Sequence, residues 1–390
     1  MKIGIVWKND YPWDIRIEKI SAALYLAGNE VHLFCANTVK SRRNEVVDNI
    51  IIHRLPYSKN RFFNKITSTP FYFNPFWGGM LLRAQKKYQL ELFIVRDLPL
   101  ILIGLLLKKR AQIRLILDMA ENYPAMYRQR INRGGFGTLY NWFIKNPYLA
   151  NKIEKYACNN VDHIMVVVSE AKQRLVDMGI DENRISIVSN TPDINNFENI
   201  NQLKGYDDFR IVYVGYIQEA RGIDTVIMAL KRLKNNGTDI KFTIVGTGDY
   251  LERLRNLSQE LHVESMVEFT GWIENSNITH YINKCNAGVI PHKKNPHTDS
   301  TIPNKLFDFM ACGKPVIVSD LIPVKRIVEE EKCGFVFESE NIESFMTTLE
   351  KMVNARNRLA KMGANGRRAV ESKYNWGYDQ AILWDVINKC

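Results

Sequence analysis

Short β-branched strands alternate with amphipathic helices along this chain, and the alternation runs twice. KIGIVW (2–7) reads as a buried strand, and DIRIEKISAALYLAGNEVHLF (14–34) reads as a helix stopped at Gly28 and a second strand. LFIVRDLPLILIGLLLKKR (92–110) gives a strand, a turn at 97–99 and a helix. RLILDMAENYPAM (114–126) gives a strand and the loop at its carboxyl end. The segments 153–180 and 184–190 close this half as helix, strand, helix, strand. TPDINNFENINQLKG (191–205) is short of large apolar residues and reads as a linker. The pattern then restarts with strands at 209–215, 240–248, 266–273, 287–291 and 315–320, each separated from the next by a helix. Strict alternation implies parallel sheets, and 390 residues exceed one comfortable core. The expectation is an α/β protein of two Rossmann-like domains, 1–195 and 206–373.

Several classes are set aside at once. Six scattered cysteines without a CxxC pair read as reduced thiols, which suits the cytoplasm. The strand at residue 2 leaves no room for a signal peptide, and the longest apolar run, LPLILIGLLL (98–107), is half of a membrane span. The loop after the first strand, KNDYPWD (8–14), lacks the GxGxxG of dinucleotide binders. No metal-ligand cluster is visible, so no metal or other cofactor is expected.

The charge is lopsided. Residues 1–200 carry 28 Lys/Arg against 18 Asp/Glu, whereas residues 201–390 carry 25 against 24. A basic half points to a polyanion. Between residues 57 and 88, Phe62, Phe63, Phe71, Tyr72, Phe73, Phe76 and Trp77 interleave with Lys59, Arg61, Lys65, Arg83, Lys86 and Lys87. Aromatics beside cations suit an anionic membrane surface, although some of the rings belong to a core. No nucleic-acid motif accompanies them, so nucleic acid is not an expected partner.

Chemistry-bearing residues gather at strand ends, where ligands bind in open α/β sheets. TIPNKLFDFMACGKPVIVSD (301–320) is the densest stretch. Pro303 reads as the first residues of a helix running 304–311, with Gly313 as its stop. The backbone N–H groups of Thr301, Ile302, Pro303's neighbour Asn304 and the cation of Lys305 suit a phosphate, and Asp308 suits sugar hydroxyls. That combination suggests a nucleotide-sugar site, with an ordinary helix entry as the alternative. Arg221, in GYIQEARG (215–222), is placed for a diphosphate. Gly246 and Gly248, in GTGD, allow close backbone approach to a ligand. In the first half, Asp118, Glu121 and Asn122 share one loop, and one of these carboxylates is suited to act as general base. Glu121 is the candidate taken here. Asp14 stands at a helix start, either as its cap or facing a cleft.

In order and spacing, VGYIQEARGIDTVIMAL, IVGTGDYLERL, EFTGWI, AGVIP, NKLFDFMACGKPVIVSD and EKCGFVFESENIESF resemble the retaining glycosyltransferases of family 4. SEAKQRLVDMGI and ISIVSNTPDINNF extend the resemblance into the first half. It implies a GT-B fold, with two Rossmann-like domains facing a cleft and a final helix, about 374–390, crossing back to the first. It implies transfer from a nucleotide-diphosphate sugar, without a metal, to a glycan or lipid-linked acceptor in cell-surface polysaccharide synthesis. On that resemblance Gly215 and Arg221 flank the donor diphosphate with Lys305. Asp308 binds ribose, and Gly246, Gly248, Gly271, Trp272 and Ile273 approach the base. Residues 301–304 hold the distal phosphate. Asp14, Asp118 and Asn122 lie on the acceptor side. The sequence departs from the family where a glutamate is usual, at Ser300, and where an arginine is usual, at Tyr216. Asp308 is itself a shortened glutamate. These departures keep a non-catalytic partner subunit in view, and the twin-sheet plan also fits a nucleotide-sugar epimerase. The expected location is cytoplasmic, at the inner face of the cell membrane.

Overall fold

The computed structural model describes residues 1–12, 14–60, 64, 66–67, 72–132, 145–197, 208–235 and 240–389. Arg61, Phe62, Phe63, Lys65 and Phe71 lie outside these residues, as do Trp13, residues 133–144 and the linker from 198 to 205. The chain divides into two compact units. One comprises 1–189 with the chain from Asp379 onward, and the other comprises Asn190–Tyr378.

The first unit holds an eight-stranded sheet. Its strands are β1 (Lys2–Val6), β2 (Glu30–Cys35), β3 (Asn44–Val47), β4 (Ile50–Arg54), β5 (Leu92–Arg96), β6 (Arg114–Met119), β7 (His163–Val166) and β8 (Ile185–Ile187). Their spatial order is β3-β4-β2-β1-β5-β6-β7-β8. Every pair is parallel except β3 with β4. Parallel strands are covered on both faces and read as unbroken apolar runs. β5 is buried along its whole length. The antiparallel β3–β4 hairpin was not read from the sequence. It turns through Asp48 and Asn49, both at positive φ (49° and 66°), the left-handed pair that a tight two-residue hairpin needs. Chain order reverses between β1 and β5, so the helices after β4, β5 and β6 cross on the opposite face from the helix after β1. That helix, Ile15–Leu26, is capped by Asp14, whose carboxylate accepts from the Ile17 N–H at 2.9 Å. On the same face Trp384 of the final helix, Trp376–Lys389, donates its indole N–H to the Ala23 carbonyl at 2.9 Å.

The second unit holds six parallel strands. They are β9 (Phe209–Val214), β10 (Ile240–Val245), β11 (Val267–Gly271), β12 (Ala287–Ile290), β13 (Val316–Ser319) and β14 (Gly334–Phe337). Their order is β11-β10-β9-β12-β13-β14, the doubly wound arrangement whose switch point lies between β9 and β12. Helix Ile223–Asn235 fills one face with Val226, Ile227, Leu230 and Leu233, all fully buried. Helix Lys305–Ala311 lies close to β12, because Gly288 leaves room for the Phe309 ring. A Cβ there would meet that ring at 2.4 Å. The helix begins at Lys305, so Pro303 precedes it instead of opening it, and Asn304 is the cap residue without a side-chain cap bond. With seven residues it carries little macrodipole, and the positive weight at its start rests on the Lys305 side chain.

Close approach of loops, more than bound ligand, explains the glycines after β10. A Cβ at Gly248 would lie 2.0 Å from the Ile217 carbonyl oxygen. Gly248→Ala is therefore expected to cost several kcal/mol by forcing two backbones apart. Gly78 sits inside helix Pro75–Tyr88 with nothing within 4 Å of its missing Cβ, so Gly78→Ala should gain about 0.5–1 kcal/mol. Urea denaturation of the two variants checks this, and equal effects would contradict it.

Candidate functional site

Arg221 lies at the carboxyl edge of the second sheet, at its switch point. It ends a short turn, Glu219–Arg221, that follows β9. Gly222 comes next, in the left-handed conformation (φ 64°). A Cβ on Gly222 would fall 2.0 Å from the Pro291 carbonyl oxygen, so only glycine lets this turn close on the segment after β12. The Lys293 N–H donates to the Ala220 carbonyl at 3.0 Å and fastens the two loops. Arg221 Nη1 then donates to His292 Nδ1 at 3.2 Å. His292 is 6% exposed, and burial first, then the Arg221 charge, push its pKa well below the ordinary imidazole range. A guanidinium is donor only, so His292 is the neutral tautomer with its proton on Nε2. The sequence reading missed His292. Its only signal was a histidine two residues past a strand end, in AGVIPH.

Lys305 and Asp308 are brought together with each other. Lys305 Nζ donates to Asp308 Oδ2 at 2.9 Å across one helical turn, and both are part-buried. Their charges cancel locally. Ser300 is 6% exposed, and its hydroxyl donates to the Pro296 carbonyl at 2.9 Å and the His297 carbonyl at 3.1 Å. Thr301 Oγ1 donates to the same His297 carbonyl at 3.3 Å, and Ile302 is buried. The carbonyls of Pro303 and Asn304 accept from the first N–H groups of the helix. Gly215 precedes Tyr216, which is half exposed and donates its hydroxyl to Asp249 at 2.9 Å. Gly246 N–H donates to the Gly271 carbonyl at 2.9 Å, which ties two of the expected base-side glycines together. Trp272 is 67% exposed, and Ile273 is half-buried beside it.

The acceptor-side candidates divide sharply by burial. Asp118 is fully buried in β6. It accepts from Arg16 Nε at 3.0 and 3.1 Å and from Nη2 at 2.5 Å, with Arg96 Nε 3.7 Å away. Burial raises its pKa, but Arg16 and Arg96 outweigh burial and hold it below the usual carboxylate range. A carboxylate so enclosed positions others and meets no ligand itself. Asn122 is 7% exposed and caps helix Tyr123–Asn132 through the Ala125 N–H at 3.2 Å. Asp14 is the helix cap described above. Glu121 retains half-exposed surface at the carboxyl end of β6. Among the described residues, no group of three His, Cys, Asp or Glu is arranged to hold a metal ion.

Two family models cover almost the whole chain. Residues 15–196 match "Glycosyltransferase Family 4", and residues 195–369 match "Glycosyl transferases group 1". The chain belongs to the family 4 glycosyltransferases. It is 24% identical over 312 residues to an uncharacterized glycosyltransferase of Haemophilus influenzae, covering 80% of this chain and 77% of that one. It is 24% identical to CapM of Staphylococcus aureus, a capsular polysaccharide biosynthesis glycosyltransferase, over 62% of this chain and 63% of that protein. Other relatives, such as a GDP-mannose-dependent phosphatidylinositol monomannoside mannosyltransferase of Mycobacterium tuberculosis, match over about half their length (25% identity, 45% and 46%). Sucrose-phosphate synthase from Thermosynechococcus elongatus shares the fold over 100% and 98% of the two chains, with a TM-score of 0.80 at 17% identity. Anabaena HepE in complex with UDP shares it over the full length of both, with a TM-score of 0.73 at 13% identity. The glycosyltransferase thus has the two parallel-sheet α/β domains of GT-B enzymes.

Two outcomes follow from these buried groups. Removing one partner of the enclosed pair, as in Asp118→Ala, should cost about 3–5 kcal/mol, because Arg16 is left charged and buried. Replacing both, Arg16→Met with Asp118→Leu, should cost much less. Equal losses in denaturant melts would contradict this. For His292 the sign is fixed by its depressed pKa. The unfolded chain takes the proton first, so stability is full above about pH 6.5 and falls as the pH drops below it. His53 adds to the same trend, since burial, with His32 and Lys87, holds it at about 4. A pH series of melts should show His292→Gln flattening the slope between pH 6.5 and 5. An unchanged slope would mean that His292 is not neutral.

Proposed function

We propose that this glycosyltransferase moves a sugar, with retention, from a nucleotide-diphosphate sugar to a glycan or lipid-linked acceptor in cell-surface polysaccharide synthesis. The observation that carries the reading is Arg221, fixed by neutral His292 at the switch point of the second sheet. A guanidinium held there by one N–H keeps its remaining donors for a diphosphate. HepE, of the same fold, has been crystallised with UDP and with UDP-glucose. Relatives named for capsular polysaccharide and phosphatidylinositol mannoside synthesis support the acceptor class.

In this reading, Lys305 exchanges Asp308 for the donor diphosphate, and the freed Asp308 carboxylate accepts from ribose hydroxyls. Residues 301–304 approach the distal phosphate, and Gly215, Gly246, Gly248, Gly271, Trp272 and Ile273 form the walls around the nucleoside. As the bond from the sugar's anomeric carbon to the diphosphate breaks, negative charge grows on the leaving group. Arg221 and Lys305 stabilise it electrostatically, which supplies what a metal would otherwise supply. Glu121 is the acceptor-side candidate for proton removal. Acceptors of this class sit at membranes, and the basic first half suits an anionic membrane surface at the cytoplasmic side.

One observation favours a second reading, a non-catalytic partner subunit that binds nucleotide weakly or not at all. Ser300, standing where the family has a glutamate, is buried and engaged in its own turn, so no carboxylate faces the donor sugar there. Thermal melts with UDP, GDP, CDP and dTDP separate the cases. One nucleotide should stabilise the protein by about 2.7 kcal/mol at a hundredfold excess over its Kd. Arg221→Ala and Asp308→Ala should abolish the response. A flat panel would sink the donor site and favour the partner subunit.

A further inference from the structure

Between residues 49 and 153 the sequence carries 17 Lys/Arg and only 4 Asp/Glu. Two of those acids, Asp97 and Asp118, are buried. Three helices of this region, Pro75–Tyr88, Ile101–Ala111 and Pro147–Asn160, lie side by side on one face of the first sheet, the middle one packed against both others. Their single acidic residue is Glu154, fully buried and bound by Arg174 Nη1 at 2.5 Å. The solvent face of the layer therefore has no carboxylate of its own.

What the face does present is aromatic rings and cations. Phe76 is 36% exposed, Tyr148 74% and Tyr156 57%. Lys152 lies between the two tyrosines at helical spacing, so Tyr148, Lys152 and Tyr156 form one exposed stripe. Lys86 and Lys155 are exposed as well. Trp77 and Tyr72, from the same aromatic-rich stretch, are core residues, so the exposed rings are a selected subset. An ordinary solvated helix balances its cations locally. Helix Ile322–Glu330 does so, pairing Lys325 with Glu329 and Arg326 with Glu330 one turn apart. On the three-helix face Lys108 pairs with Asp162 at 2.7 Å, but among the described residues no carboxylate pairs with Lys86, Lys152 or Lys155.

We infer that this three-helix face docks the protein on an anionic lipid bilayer. The inference rests on the membrane-proximal acceptor proposed above and assigns the surface that meets the membrane. Lysines attract the headgroup phosphates, and the tyrosine and phenylalanine rings enter the interfacial layer, where an apolar body with a polar rim is favoured. Among the described residues no helix is long and apolar enough to cross a membrane, so the contact is peripheral.

Flotation of the full chain with phosphatidylcholine vesicles, with and without phosphatidylglycerol, tests this. Binding should require phosphatidylglycerol and weaken as salt rises. The combined variant Lys86→Gln, Lys152→Gln, Lys155→Gln should lower partitioning roughly a hundredfold. Tyr148→Ser with Tyr156→Ser should weaken it further at high salt, where the rings carry more of the contact. Neutralising two exposed cations of the other unit, Lys351→Gln and Lys361→Gln, should leave it unchanged. All variants should keep the nucleotide thermal response, which shows that they remain folded. Indifference of the wild type to phosphatidylglycerol, or wild-type partitioning by the triple variant, would overturn the assignment. Tighter retention on a single-stranded oligonucleotide than on vesicles would overturn it too. A flat nucleotide panel with vesicle binding intact would count against sugar transfer alone.

Discussion

The Arg16–Asp118 pair holds the first unit's ligand-side edge together. Arg16 belongs to the first turn of helix Ile15–Leu26, and Asp118 lies near the end of β6. Both are essentially without solvent contact. The same guanidinium donates through Nη1 to the carbonyls of Val188 at 2.8 Å and Ser189 at 3.2 Å, where the chain leaves the unit. One side chain thus joins a helix start, a central strand and the exit strand. Enclosing two ions costs several kcal/mol each, and only dense hydrogen bonding offsets that. Here the carboxylate takes three short contacts, and the guanidinium uses its remaining donors on backbone. Such a pair contributes little net stability against an apolar replacement, but it admits one geometry only.

The two units meet the same topological problem with opposite electrostatics. Each sheet reverses strand order and leaves a crevice at its carboxyl edge, between β1 and β5 in one and between β9 and β12 in the other. In the first unit, cations there are matched by buried acids. Arg96 lies beside Asp97 and Asp118. In the second unit the cation at the edge is held by a neutral partner. A carboxylate in place of His292 would cancel the charge of Arg221. A neutral imidazole fixes direction and leaves the charge intact, which is what a site for a polyanion requires.

Much of this was legible in the sequence, and the gaps have a common cause. Strands such as β5 and β13 announced themselves because strands covered on both faces leave no polar alternation. Pro75 and Pro147, each after an asparagine cap, mark helix starts by local chemistry alone. What stayed hidden were contacts between residues distant in the chain. Arg16 and Asp118 are 102 positions apart, and Arg221 and His292 are 71 apart. Asp118 therefore looked like an available base when it is an enclosed anchor. Lys305 and Asp308 were read as two separate ligands of a donor. Their spacing of three on a helix also makes them partners, and the structure pairs them.

Glu121, which like Asp14 keeps part of its surface exposed, owes its position to that anchor at one remove. Asp97 has a backbone conformation (φ 65°, ψ 174°) that a residue with a side chain rarely adopts, at a cost of about 1–3 kcal/mol. Its surroundings compensate. The Asp97 N–H donates to the Asp118 carbonyl at 2.8 Å, and its carboxylate accepts from the Ala120 N–H at 3.2 Å and the Tyr123 hydroxyl at 3.4 Å. These contacts bracket Glu121 on both sides, so the loop cannot shift unless Asp97 does. Asp97 in turn is bonded to the residue that Arg16 immobilises. Strain at one residue is thereby tolerated because a buried ion pair next to it removes the alternatives, and the loop that carries the candidate base inherits its rigidity from both.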